Sequence, residues 1–182
     1  MRLFVALRIL ANAREKIWQT LLAKIPKKNF KAVEPENVHI TLCFIGEAKE
    51  ENLQRIKSAL AKIEFRKFEA RLSEIGAFDE RVIWIGLTEG AKECEELSRK
   101  IREALGIHDE RFSAHATLAR NRNATGAEFN RVLEELKKTN FSQEFEAKGF
   151  TLMQSKLSSG GPSYEEISEF PASTFFSKES GS

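Results

Sequence analysis

Two short stretches of this sequence carry the same pair of reactive side chains at the same spacing. The first reads His-Ile-Thr-Leu from residue 39, and the second reads His-Ala-Thr-Leu from residue 115. The chain contains 3 histidines, and two of them stand in these copies. The surrounding residues are typical of β-strands, in which a side chain and the one two residues later project from the same face. Each copy is therefore expected to present an imidazole beside a hydroxyl.

Two such strands facing each other would suit acid–base chemistry at phosphorus. Histidine gives and takes protons near neutral pH because its unperturbed pKa is about 6.5. If one imidazole is neutral and the other protonated, the first can activate water and the second can protonate a leaving oxygen, as phosphodiester hydrolysis requires. The hydroxyls of Thr41 and Thr117 could donate hydrogen bonds to the non-bridging phosphoryl oxygens. His39 and His115 are therefore the candidate catalytic residues.

Arg120 follows the second copy and is a further candidate for binding phosphate, because a guanidinium makes charge-assisted hydrogen bonds. Strict alternation along a strand places it on the face opposite to His115 and Thr117. Its participation therefore requires the strand to end or twist near this position.

A single copy of the motif would indicate an ordinary buried strand with a hydrogen-bonded histidine. The recurrence of the motif is what favours a functional site.

Metal or nucleophile chemistry fits the pattern less well. No cluster of aspartate and glutamate accompanies the two copies, and two histidines alone make an incomplete shell for a catalytic metal. Cys43 lies two residues after Thr41 and would face the same side of the strand. The alternative is therefore a metal site formed by His39, Cys43 and His115. We expect neither a metal nor a cofactor. Nothing marks a serine nucleophile elbow, and His108 lacks a threonine partner and is left outside the site.

Hydrophobic periodicity and turn residues predict the elements that position these copies. The first helix is expected to bury Ile17 and Trp18, the loop over 24–31 to expose Phe30, and Gly46 to end the first motif strand. The predicted strands cover 3–9, 39–45, 68–78, 82–87, 115–120, 145–155 and 164–170, and the predicted helices cover 12–23, 49–63, 90–105 and 127–138.

The order of these elements repeats along the chain. Strand, helix, motif strand, helix and two strands are followed by helix, motif strand, helix and two strands. His39 and His115 stand 76 positions apart, close to half of the ordered chain, as an internal duplication would require. Two related α+β halves are therefore predicted within one domain over residues 1–173. Residues 174–182 lack periodicity and are predicted to form a mobile tail.

Composition is that of an ordinary globular protein. The 182 residues are 41% hydrophobic and 31% charged, which is enough to bury a core. The net charge of +2 does not by itself indicate nucleic-acid binding, which depends on where the cations cluster. Cys43 and Cys94 form neither a metal spacing nor a disulfide framework. No apolar run approaches the roughly 20 residues that span a membrane, so a cytoplasmic protein is expected.

At the two copies the sequence resembles the two-histidine (2H) phosphoesterase superfamily, specifically its RNA 2',3'-cyclic phosphodiesterase branch, historically called 2'-5' RNA ligase. The resemblance extends from residues 2–7 through both motif strands to residues 152–155 and Tyr164. It implies an α+β fold of two pseudo-symmetric lobes, each with an antiparallel sheet and flanking helices, around a central cleft. It also implies metal-independent opening of a 2',3'-cyclic phosphate to a 2'-phosphomonoester.

The same resemblance implies a role for each candidate residue. His39 would be the general acid toward the departing 3' oxygen and His115 the general base for water, although the two labels could be exchanged. The phosphate-holding set would be Thr41, Thr117 and Arg120. The sequence departs from many relatives at two positions, where Ala114 replaces a proline and Cys43 replaces a basic or varied residue. These departures leave the reaction type unchanged and the substrate preference open.

Several functions remain compatible with the sequence. Hydrolysis of a 2',3'-cyclic phosphate on RNA or on a nucleotide is the leading hypothesis. The same cleft could ligate such an end to a 5'-hydroxyl or cleave a 2'-5' linkage, and a noncatalytic module could bind RNA ends with the same donors. A structural domain with core histidines is the remaining alternative.

We expect an RNA or cyclic nucleotide as the binding partner, no association with a membrane, no obligatory protein partner and a monomeric protein. Aromatic residues that could stack on a base are Phe30, Trp84, Phe150 and Tyr164, and none is assigned.

Overall fold

A computed structural model describes residues 1–108, 112–158 and 161–173 of the chain. The predicted mobile tail over 174–182 lies outside these residues. The strands are β1 (Arg2–Arg8), β2 (Phe30–Ala32), β3 (His39–Glu47), β4 (Phe68–Phe78), β5 (Val82–Glu89), β6 (His115–Asn121), β7 (Gln143–Ala147), β8 (Gly149–Ser158) and β9 (Gly161–Pro171). The α-helices are α1 (Ala11–Thr20), α2 (Leu53–Leu60), α3 (Ala91–Leu105) and α4 (Gly126–Lys137).

The described strands form one antiparallel sheet in the order β7-β4-β5-β6-β3-β1-β8-β9, with β2 paired to β6. At the middle of this order, β3 and β6 pair through Ile40 and Ala116. On one side of the junction β3 lies beside β1, and α1 leads from β1 to β3. On the other side β6 lies beside β5, and α3 leads from β5 to β6. The predicted α+β class with antiparallel strands is confirmed, and this symmetric order agrees with an internal duplication. The division into two lobes stays a prediction, since the sheet is continuous.

The helices bind the two halves of the sheet together. α1 follows β1 in the chain but contacts β7 in the other half of the sheet. α3 follows β5 in the chain, but the strand that it contacts most is β3. The buried face of α3 carries Cys94, Leu97, Ser98 and Ile101, at the spacing of one side of a helix. β3 and β6 pair with each other at a single position, so the pairing of β2 with β6 and these crossing helices add to the contact between the two halves.

Two aromatic side chains lie where the sequence did not predict them. Trp18, expected in the buried stripe of the first helix, is 44% exposed. Phe30, expected in an exposed loop, is 2% exposed because it belongs to β2 and packs against Phe129, with ring centroids 6.0 Å apart. Both predictions were wrong. The partners that bury Phe30, strand β6 and helix α4, are distant in sequence, and Trp18 lies outside the buried positions of α1, which are Ala13 and Ile17.

Several predicted boundaries also change. Gly46 does not end its strand, since β3 continues to Glu47 with Gly46 at φ +81°. The strand predicted over 145–155 is two strands, β7 and β8, separated at Lys148. The helix predicted from 49 begins as a 3₁₀ turn at Glu50–Asn52 before α2. Within the described residues, no helix is long and apolar enough to cross a bilayer.

The packing predicts a contrast between a helix residue that faces the sheet and one that does not. Ile101 on α3 is fully buried, so Ile101→Ala should reduce the free energy of unfolding by about 2–5 kcal/mol through lost burial and a cavity. Trp18→Ala should cost less than about 1 kcal/mol, as for an exposed side chain. Chemical denaturation monitored by circular dichroism measures both. Equal losses would contradict the exposed placement of Trp18.

Candidate active site

The two His-x-Thr copies line one cleft. β3 and β6 run antiparallel about the pair Ile40 and Ala116, whose side chains are fully buried. The flanking histidines and threonines of both strands project from the opposite face, so each histidine lies beside the threonine of the other copy. A cavity of about 800 Å³ is lined by all five candidate residues, His39, Thr41, His115, Thr117 and Arg120. The structure therefore brings the predicted set together.

Both imidazoles are held in the same tautomer by a local hydrogen bond. Nδ1 of His39 lies 2.7 Å from the carbonyl oxygen of Asn37, and Nδ1 of His115 lies 2.8 Å from that of Ser113. A carbonyl oxygen only accepts, so Nδ1 carries the hydrogen in each ring. Nε2 is then the nitrogen that exchanges a proton. Each acceptor lies two residues before its histidine, so this orientation is local to the sequence.

The threonine of the first copy contacts its histidine directly. Oγ1 of Thr41 lies 3.1 Å from Nε2 of His39, and a neutral Nε2 accepts the hydroxyl hydrogen. This contact agrees with the prediction that residues two apart on the strand share a face. In the free protein it therefore positions the hydroxyl and the basic nitrogen side by side in the cleft.

Each imidazole is also flanked by two aromatic rings from other strands. These rings reduce contact with water and disfavour the charged form of the imidazole. Phe4 on β1, Phe78 on β4 and the contact of Tyr164 with the first histidine were not anticipated from the sequence. The centroid distances are 5.0 Å from His39 to Phe4 and 5.1 Å to Tyr164, and 4.8 Å from His115 to Phe78 and 6.1 Å to Trp84.

Burial lowers the pKa of both histidines below the ordinary value of 6.5. For His39 the hydrogen bond to Asn37 opposes this shift in pKa, and repulsion from the charge of His115 adds to it. His115 is less enclosed, and its hydrogen bond to Ser113 likewise opposes the lowering of its pKa.

A β-bulge in β3 changes which residues reach the cleft. Val5 of β1 pairs with Cys43 and Ala6 pairs with Thr41, so Leu42 stands between two consecutive pairs without a partner on β1. Such an extra residue shifts the alternation of side chains along the strand. Cys43 therefore does not face the same side of the sheet as Thr41.

β6 carries a bulge at the equivalent position. Ile83 of β5 pairs with Ala119 and Trp84 pairs with Thr117, so Leu118 has no partner on β5. Beyond the bulge the alternation is displaced by one residue. Leu118 and Ala119 are both buried as a consequence.

These two bulges correct the predictions based on strict alternation. Arg120 returns to the face of Thr117 and lines the cleft. Phe44 occupies the corresponding position in the first copy, five residues after its histidine, and is 59% exposed in the cleft. Cys43 borders the cavity but is 1% exposed and packs in the core, so its predicted place beside the catalytic pair is wrong. The matched offset from each histidine could have indicated Phe44.

Two of the aromatic residues considered for base stacking do not reach the cleft. Phe30 and Phe150 are buried in the core at 2% and 0% exposure. Trp84 is half-buried behind His115, and Tyr164 lines the cleft. Exposed rings in the cleft are instead those of Phe44 and Phe78.

The charged groups of the cleft favour an anion. Arg2, Lys31 and Arg120 line the cavity together with the carboxylate of Glu34. Burial raises the pKa of Tyr164, and the charges of Arg120 and Arg2 act on that pKa in the opposite direction. The phenol is therefore protonated at neutral pH and can donate a hydrogen bond. No group of three histidine, cysteine, aspartate or glutamate residues that could hold a metal ion occurs in the described part of the chain.

Comparisons with known proteins agree over nearly the whole chain. A family model described as the 2'-5' RNA ligase superfamily matches residues 11–158. A protein of Archaeoglobus fulgidus named RNA 2',3'-cyclic phosphodiesterase is 36% identical over 178 residues, which cover 93% of this chain and 99% of that protein. A protein of the same name from Methanocaldococcus jannaschii is 36% identical over 181 residues, covering 93% and 100%. The crystal structure of TT0787 of Thermus thermophilus matches with a TM-score of 0.76 and 26% identity, covering 94% of this chain and 97% of that one.

The surroundings of the two imidazoles predict their titration. Both rings should be neutral at pH 7 and should gain a proton only below pH 6.5, because burial disfavours the charged form of each. Nitrogen-15 NMR of the labelled protein measures the pKa of each ring and its tautomer. We expect the hydrogen on Nδ1 of both neutral rings. A pKa above 6.5 for either ring in the free protein would contradict the role of burial.

Proposed function

Because this chain belongs to the 2'-5' RNA ligase superfamily of two-histidine phosphoesterases, we propose that it hydrolyses 2',3'-cyclic phosphates to 2'-phosphomonoesters. The observation that carries the proposal is the convergence of two His-x-Thr copies and Arg120 in one cationic cleft. The two relatives named for this activity, which align over almost their whole length, support it. The substrate is an RNA end or a nucleotide, and a cytoplasmic location and a monomeric state stay predictions.

The reaction requires one proton to be removed and one to be supplied. One imidazole accepts a proton from water through Nε2 while the water oxygen forms a bond to phosphorus. The bond from phosphorus to the 3' oxygen breaks, and the other ring, as imidazolium, protonates that oxygen. The product is a 2'-phosphomonoester with a free 3'-hydroxyl, and the second ring is left neutral. Exchange of one proton with solvent restores the starting state.

The remaining candidate residues would act on the phosphoryl group. Thr41 and Thr117 donate hydrogen bonds to the two non-bridging oxygens, and the guanidinium of Arg120 neutralises their charge. Thr41 exchanges its contact with His39 for one with phosphate when the substrate binds. Phe44, exposed at the position that corresponds to Arg120, offers a face on which the terminal base can stack.

The surroundings of the histidines bear on which of them is the acid. The resemblance implies that His39 is the acid and His115 the base. His39 is the more enclosed ring, and enclosure disfavours the charged form, which favours the exchanged roles. We therefore propose His115 as the acid and His39 as the base in this chain.

Loss of either histidine should abolish most of the activity. His39→Ala and His115→Ala should each lower kcat by at least about 10²–10⁴-fold, the range for a positioned acid or base. The assay uses a 2',3'-cyclic nucleotide and a short RNA with that end, in the presence of excess chelator, with products identified by phosphorus NMR. His108→Ala is the matched control and should retain full activity.

Other outcomes of this assay would overturn the proposed function. A ligated product or a cleaved 2'-5' linkage in place of the 2'-phosphate would indicate one of the alternative reactions. Binding of the RNA end without turnover would indicate a noncatalytic module. Full activity of either motif-histidine variant would remove that residue from the mechanism.

A change of leaving group should separate the acid from the base. A substrate with sulfur in place of the bridging 3' oxygen leaves as a thiolate, which needs little protonation. His115→Ala should therefore lose much less activity on the sulfur substrate than on the oxygen substrate, whereas His39→Ala should be impaired on both. Single-turnover rates on the two substrates measure this. Selective recovery of His39→Ala would instead support the roles implied by the resemblance.

A further inference from the structure

The bulges in the two motif strands are each completed by a donor from outside the strand pair. In β6 the carbonyl oxygen of Leu118 accepts a hydrogen bond from the backbone N–H of Val33, at 2.8 Å. In β3 the carbonyl oxygen of Leu42 accepts one from the hydroxyl of Ser98, at 2.5 Å. The two carbonyls occupy equivalent positions, three residues after each histidine, but their donors are of different kinds.

The difference follows from what covers each strand edge. Beyond Ala116, β2 pairs along β6, and Val33 extends that pairing by one residue. The described strands include none that pairs with β3 along the corresponding edge beyond Ile40. There the first motif strand packs against α3, and the hydroxyl of Ser98 supplies the donor that β2 supplies to the second copy.

Ser98 is unusual among the residues that α3 buries. It is fully buried on the apolar face of the helix, and it is one of two buried polar residues in the described part of the chain, with Thr151. A serine within a helix commonly bonds to the carbonyl of its own preceding turn. Ser98 instead bonds to a strand 56 residues earlier in the chain. Because buried polar groups need partners, this bond satisfies both the hydroxyl and the bulge carbonyl.

We propose that Ser98 is a positioning residue of the active site, which holds the Leu42 bulge and through it the orientation of His39, Thr41 and Phe44. Without the hydroxyl, the buried carbonyl of Leu42 lacks its donor, and the bulged conformation loses its advantage over regular pairing. Regular pairing would turn Cys43 toward the cleft and Phe44 toward the core. The second copy, completed by the main chain of β2, would be unaffected.

The test compares Ser98→Ala with Cys94→Ala, a fully buried residue one helical turn earlier on the same face of α3. Both variants loosen the packing of α3, but only the first removes the donor to Leu42. We expect Ser98→Ala to shift the ring pKa of His39 in nitrogen-15 NMR, to leave that of His115 unchanged, and to change the carbonyl shift of Leu42. Cys94→Ala should leave all three at the values of the wild type.

The catalytic readout rests on the proposed function. kcat/KM for the cyclic phosphate should fall on the order of 10²-fold in Ser98→Ala, the effect of a small misplacement of a catalytic group. It should stay unchanged in Cys94→Ala, with both assays made well below the unfolding temperature of each variant. Unaltered His39 titration and kcat/KM in Ser98→Ala, or equal effects in the two variants, would overturn the proposal. If the wild type does not turn over the substrate, the proposed function fails, and the NMR comparison still decides the role of Ser98.

Discussion

The antiparallel pairing of Ile40 with Ala116 is the interaction on which the cleft depends. It joins the two halves of the sheet at one position and buries both side chains on the core face. The residues on either side of each then project from the opposite face, which brings two imidazoles and two hydroxyls together. The approximate symmetry of the site thus follows from one backbone pairing between two similar strands. On its other edge, β3 pairs with β1 and β6 pairs with β5.

The single pair between β3 and β6 would by itself be a weak joint, and the pairing of β2 with β6 and the packing of the helices add to it. The connections that lead to the motif strands pass through α1 and α3. α1 follows β1 in the chain but contacts β7, and α3 follows β5 but packs on β3, so each helix contacts the opposite half of the sheet. The placement of the two motif strands therefore depends on helix packing as well as on strand pairing. Ser98 belongs to this arrangement, because it lies on a crossing helix and bonds to the bulge of a motif strand.

The electrostatics of the cleft combine two opposing tendencies. Aromatic neighbours keep the imidazoles poorly solvated, which favours their neutral forms, while Arg2, Lys31 and Arg120 give the same cavity positive charge. A phosphate diester fits this combination, since it is attracted by the cations and adds the negative charge that stabilises an imidazolium. The proton needed for a leaving oxygen is therefore most stable when an anionic substrate is bound.

The sequence alone determined the local part of this arrangement. The same-face placement of each histidine with its threonine follows from the two-residue period of a strand, and the order of elements follows from hydrophobic periodicity. The tertiary structure decided what depends on distant partners. Arg120 and Phe44 reach the cleft because of bulges completed by Val33 and Ser98, and Phe30 is buried because β2 pairs with β6. Strand alternation depends on neighbouring residues, whereas the carbonyls of these two bulges accept hydrogen bonds from donors in other parts of the chain.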